Sequence, residues 1–113
     1  MKSILLAAVP VVLFAAGCTT TDAGPALPVE PAVIYAQMCA RCHGADGRGD
    51  AQLKPTMPTM RDLSDPQWKA RAKNEEIEMV IMSGKNQMPG FGATLSVPKI
   101  QALTGYVRKL GGK

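Results

Sequence analysis

Apolar positions recur at helical spacing in several stretches of the chain, and no stretch alternates convincingly with a period of two. The clearest pattern is near the C-terminus. There Val97, Ile100, Leu103, Val107 and Leu110 repeat at steps of three and four, behind Ser96 as a cap and Pro98 in the first turn. Gly111 and Gly112 end that helix. Ile77, Val80 and Ile81 form the buried stripe of another, which Asn74 is expected to cap and Gly84 to stop. Glu75 and Glu76 sit favourably near its positive end. Asp65 followed by Pro66 signals a further helix start, with Trp68 in its first turns. Pro31 suits the first turn of an earlier helix, in which Val33, Ile34, Gln37 and Met38 lead into Cys39. Residues 44–59 and 84–95, rich in Gly, Asp and Pro, are read as loops. The pattern predicts an all-α domain.

A different pattern marks the N-terminus. Lys2 is followed by an apolar run from Ile4 to Ala16, interrupted by Pro10. At about a dozen residues the run is short of the roughly 20 needed to span a bilayer, and a secretory signal over residues 1–17 is the better reading. It ends Ala15-Ala16-Gly17-Cys18, which resembles the lipobox of bacterial lipoproteins, with Ala15 where leucine is usual. The resemblance implies acylation of Cys18, and Thr19 after it leans to the outer rather than the inner membrane. Cleavage nearby, leaving a free thiol, is the other reading. Two acyl chains would hold the chain stably on a membrane, whereas one would not. Residues 18–29 then serve as a flexible tether, and the folded domain occupies 30–113.

Charge adds little. Cleavage before Cys18 removes one of 13 basic residues and none of the 9 acids, leaving a small positive excess. With no basic run and few aromatics, nucleic acid is not an expected partner. One Trp, two Tyr and two Phe give little bulk for a core. A small domain of that kind gains from a staple or cofactor, and a buried macrocycle would supply the missing apolar volume.

Cys39-Ala40-Arg41-Cys42-His43 supplies the chemistry. C-x-x-C-H is the haem-attachment signature. Two thiols one helical turn apart reach two vinyl groups on one porphyrin edge, and the adjacent imidazole ligates the iron. A thioredoxin-like pair would need a βαβ context, and the strands are missing. Structural zinc needs four ligands, and the domain offers two cysteines and one histidine.

Because His43 is the sole histidine, the sixth ligand is methionine, lysine, water or nothing. Met38 adjoins the attachment site, while Met79 and Met82 fall in a helix where methionine is more often core filler. Met57 and Met60 follow His43 closely and would more naturally wrap its own side. Met88, in the loop Asn86-Gln87-Met88-Pro89-Gly90, is far enough along to close over the opposite face.

The stretch from about Glu30 to Leu110 resembles a class I c-type cytochrome of the bacterial mono-haem kind. The likeness rests on Cys39-Ala40-Arg41-Cys42-His43-Gly44, the Met88-Pro89 loop and a last helix containing Tyr106. It implies three to five helices around one covalent haem c, with first and last helices crossing, so that Ile34 and Met38 meet Leu103 and Tyr106. It also implies a loop-proline carbonyl against the His43 N–H, for which Pro55 is placed suitably. Arg61 and Trp68 are candidates to meet the propionates. Lys54, Lys85 and Lys99 either steer acidic redox proteins or are ordinary solvated lysines.

The expected function is electron transfer, without enzymatic activity, on the periplasmic side of the envelope. Its partners would be a donor and an acceptor redox protein and, through the lipid anchor, the membrane. The chain would act as a monomer or as a subunit of a larger redox complex. The alternatives are an open-site haem sensor or enzyme, and a haem subunit of a membrane oxidase or dehydrogenase.

Overall fold

Pro31 opens the first helix, as its fixed φ and missing N–H allow. The computed structural model describes residues 30–112; the leader, Cys18 and the rest of the tether lie outside them. The first helix, α1, covers 31–43 and is not uniform. It is α-helical over Pro31–Ile34, widens to a π-helix over Tyr35–Cys39, and returns to α over Ala40–His43. The wide turn closes where the Ala40 N–H reaches back five residues to the Tyr35 carbonyl. Such an insertion turns the following side chains to a new face. Ile34 and Tyr35 pack into the core, while Cys39, Cys42 and His43 line a large cavity.

Three more helices follow: α2 (Pro66–Arg71), α3 (Asn74–Ser83) and α4 (Val97–Lys109). Asp65 caps α2, its carboxylate accepting the Gln67 N–H at 2.8 Å. Asn74 does not cap α3 as expected. The cap position is Lys73, and Glu76 reaches back to accept its backbone N–H at 3.0 Å. Asn74 is the first helical residue, and its side-chain oxygen accepts from the Arg108 guanidinium. Ser96 occupies the cap position of α4 without a side-chain bond to the helix. Among the described residues extended pairing is limited to an isolated bridge between Lys85 and Met88, so the all-α expectation holds.

The core forms where α1 and α3 pack on α4. Ile34 and Tyr35 join Ile77, Ile81, Ile100, Leu103 and Val107 in one cluster, with Met38 and Tyr106 packed against it. The Tyr35 and Tyr106 rings lie 5.2 Å apart and tilted. Ile100 and Leu103 are each 1% exposed, and side chains buried that fully contribute roughly 1.5–3 kcal/mol apiece.

Two basic side chains tie the ends of α2 and α4 together. Lys69 donates to the Leu110 carbonyl, and Arg108 donates to the carbonyls of Lys69 (2.9 Å) and Ala72. Each helix end leaves orphan carbonyls, and here each is met by a cation from the other helix.

Candidate haem site

The chain folds back at once after His43. Gly44 (φ 74) ends α1, and its N–H caps the Ala40 carbonyl at 2.8 Å. The Cys42 carbonyl accepts from Asp50 (2.8 Å) and the His43 carbonyl from Gly49 (2.7 Å), so the carbonyls that end the attachment turn are met by the chain's own return. Tyr35 adds a clamp, its hydroxyl donating to the Gly44 carbonyl at 2.7 Å. Burial pushes that phenol well above its ordinary range, so it remains a donor.

The return loop then reaches His43 from the side. His43 Nδ1 lies 3.2 Å from the Arg61 carbonyl. A carbonyl only accepts, so Nδ1 carries the proton and Nε2 keeps its lone pair. Burial holds the imidazole below its usual pKa, opposed by the Arg61 carbonyl, and a neutral ring is the form that binds metal. A bond of this kind orients the ring and raises its basicity as a ligand.

This corrects the expectation for Pro55. The segment coils locally, with Lys54 N–H on the Asp50 carbonyl (3.1 Å) and Met57 N–H on the Leu53 carbonyl (2.9 Å). Pro55 is thereby exposed and absent from the cavity wall, and the chain reaches the ring six residues later. Nothing in the sequence distinguishes Arg61 for this part, because the group used is a backbone carbonyl.

The cavity measures about 1490 Å³, larger than the usual 300–1,000 Å³ of a small-molecule pocket. Cys39, Cys42 and His43 stand on its wall among Leu63, Ile77, Val80, Ile81, Phe91, Leu103 and Val107. Cys39 and Cys42 are free thiols, and burial, with Cys42 second, pushes Cys39 up to about 11. Among the described residues no three His, Cys, Asp or Glu side chains converge as a metal site. Two thiols and a neutral imidazole on the wall of an apolar cavity of this size fit a covalently attached haem.

Met38, Met57, Met60, Met79 and Met88 all line the cavity; Met82 does not. Met79 and Met82 are not core filler, being 60% and 37% exposed. Arg61, Trp68 and Lys85 also reach the wall, whereas Lys54 and Lys99 are exposed and stand off it. Sequence reasoning missed the hydrogen bond from Gln87 Nε2 to the Thr56 carbonyl, 3.2 Å, which joins the Met88 loop to the return loop.

Helices around such a cavity, with this motif on its wall, define a c-type cytochrome domain. Residues 26–107 match the family model described as cytochrome c oxidase, cbb3-type, subunit III, and the chain belongs to that family. It is 38% identical over 82 residues to the cbb3-type cytochrome c oxidase subunit FixP of Azorhizobium caulinodans, covering 72% of this chain and 26% of that one. It is 34% identical over 77 residues to cytochrome c-555 of Methylococcus capsulatus, covering 66% and 55% respectively. Among solved structures, the KustC0563 c-type cytochrome superposes with a TM-score of 0.67 at 29% identity, over 73% of this chain and 98% of that one. The chain spans between 26% and 34% of the length of FixP-type subunits it matches. The cofactor of the domain is covalently bound haem c, and its chemistry is electron transfer.

Proposed function

We propose that the chain is a single-haem electron carrier without catalytic activity of its own, attached through Cys39 and Cys42 and ligated by His43 and Met88. Bound haem c supplies a one-electron Fe(III)/Fe(II) couple, and a thioether ligand favours the reduced state. The cavity wall keeps water away, the Arg61 carbonyl keeps the His43 ring oriented, and fixed ligands on both sides keep reorganisation small.

The observation that carries the Met88 assignment is the construction of its loop. Lys85 and Met88 exchange two backbone hydrogen bonds, both 3.0 Å, around Asn86 at φ 53. The loop returns to α3 through Phe91 N–H on the Ile81 carbonyl (2.8 Å) and Gly92 N–H on the Met82 carbonyl (3.0 Å). Gly84 and Gly90 permit this closeness, since a Cβ on Gly84 would lie 2.5 Å from the Met88 carbonyl oxygen. A loop pinned at both feet presents its thioether at a defined place. The rivals are worse placed. Met57 and Met60 stand on the segment that holds His43, and Met79, though on the cavity wall, has its sulfur accepting from Ser83 within α3.

In Met88→Ala the oxidised protein should turn from low to high spin and the reduced protein should bind carbon monoxide. An unaltered spectrum overturns the assignment.

Anchoring through an acylated Cys18, on the periplasmic side and in the outer membrane, belongs to the same proposal. Among the described residues no helix is long and apolar enough to cross a membrane. Cys18→Ser should move the protein from the membrane to the soluble fraction, and unchanged membrane retention would contradict an acyl anchor.

A second reading is favoured by the names of the FixP-type relatives, which are oxidase subunits. In it the domain passes electrons within a membrane oxidase complex. Purification in mild detergent separates the two: a monodisperse monomer supports the free carrier, and stable co-purification with oxidase subunits supports the second reading.

A further inference from the structure

The return loop touches the surroundings of both His43 and Met88 through backbone carbonyls only five residues apart in number. The Arg61 carbonyl holds His43 Nδ1, and the Thr56 carbonyl accepts from Gln87 Nε2, on the residue just before Met88. Between them Met57, Pro58, Thr59, Met60 and Arg61 all line the cavity, so the segment forms a strap along one side of it.

The strap end at Thr56 is fixed. Its N–H and its hydroxyl both donate to the Leu53 carbonyl at 3.0 Å. The opposite partner is also fixed, because the Lys85–Met88 turn sets Gln87 and Met88 side by side at the tip of a loop whose feet are pinned. The Gln87 amide is the described side-chain hydrogen bond between these two pinned pieces. The internal bonds of each piece do not involve it.

We infer that Gln87 is a positioning residue: its bond to the Thr56 carbonyl latches the Met88 loop to the strap whose Arg61 carbonyl holds His43, and so sets how readily Met88 yields the sixth position to an outside ligand. The inference rests on Met88 being that ligand. The latch requires a donor, because a carbonyl accepts and does not give. An amide or an ammonium of similar reach therefore closes it, whereas a carboxylate of the same shape leaves it open.

The test is stopped-flow binding of imidazole, a neutral probe, to the oxidised holo-protein. Gln87→Glu and Gln87→Ala should bind imidazole roughly twofold faster than wild type, the small factor expected for one exposed hydrogen bond. Gln87→Lys should return the rate to near wild type. Thermal unfolding of all three variants should stay close to that of wild type, since the amide covers no core residue. Wild-type rates in Gln87→Glu and Gln87→Ala, or a Gln87→Lys rate as fast as Gln87→Ala, would overturn the latch. Met88→Ala is measured alongside. If its spectrum changes while the Gln87 variants behave as wild type, the latch fails and the ligand assignment stands. If its spectrum is that of wild type, the ligand assignment itself has failed.

Discussion

The wall that carries Cys39, Cys42 and His43 and the wall that carries Met88 are built by different means. The first is one continuous helix, and five consecutive residues bring both thiols and the imidazole to one place. Its carbonyls are taken up by the residues that follow, so most of its support is local. The second is a loop whose position depends on contacts with α3 and with the strap near Thr56. Local order makes the first wall robust to change elsewhere. Tertiary order makes the second wall the part where small substitutions tell, and on the proposed Met88 ligation the part that sets ligand lability.

The difference can be broken most sharply at the attachment wall. Replacing both Cys39 and Cys42 by serine should abolish covalent haem entirely, read as loss of haem stain on a denaturing gel. Retained stain would refute the attachment assignment. On the loop wall, Gly84→Ala puts a side chain on a residue at φ 78 and within 2.5 Å of the Met88 carbonyl oxygen. It should cost about 1–3 kcal/mol and lower Tm by roughly 5–15 °C, with disturbance of the Met88 ligation signature. The comparison predicts that the His43–Arg61 hydrogen bond survives this change, which the imidazole NMR signals would report.

Away from both walls, Arg108→Ala removes the donor that meets the Lys69 and Ala72 carbonyls and Asn74. A loss of about 1–2 kcal/mol in denaturant unfolding is expected, with the visible spectrum unchanged. The smallest effect is at Asp62. The Ser64 hydroxyl bond, 2.6 Å, with help from the Ser64 N–H, holds its carboxyl below the usual range. A folded-state value below the unfolded one contributes stability that is complete above the unfolded pKa and lost as pH falls through the folded one. Ser64→Ala should raise the Asp62 midpoint in an NMR titration and leave less stability to lose at acid pH.

What was legible in the sequence follows the same division. The motif at Cys39 to His43 and the stripe of α4 are local patterns: the motif lies at the end of α1, and Ile100, Leu103, Val107 and Leu110 are buried, though Val97 is exposed. Asp65 likewise caps α2 through its own side chain. Misreadings occur where a distant partner decides. Asn74 has a good capping side chain, but Arg108 takes it, and Glu76 meets the Lys73 N–H instead. Pro55 is at a plausible chain distance, yet the coil over 50–57 turns it outward and the Arg61 carbonyl serves. The π turn in α1 left no mark in the apolar spacing, because it shifts a register between Tyr35 and Cys39 rather than ending a helix. Met79 reads as core by period but stands exposed on the cavity wall.

The central claim is that this domain holds one haem c between His43 and a thioether on the Met88 loop, closed to outside ligands. The most direct test is the visible absorption spectrum of the purified holo-protein, oxidised, reduced, and reduced under carbon monoxide. A low-spin spectrum with the weak far-red methionine-to-iron band, unmoved by carbon monoxide, is the expected result. A high-spin spectrum, or one that carbon monoxide shifts readily, would mean an open iron and would contradict the account.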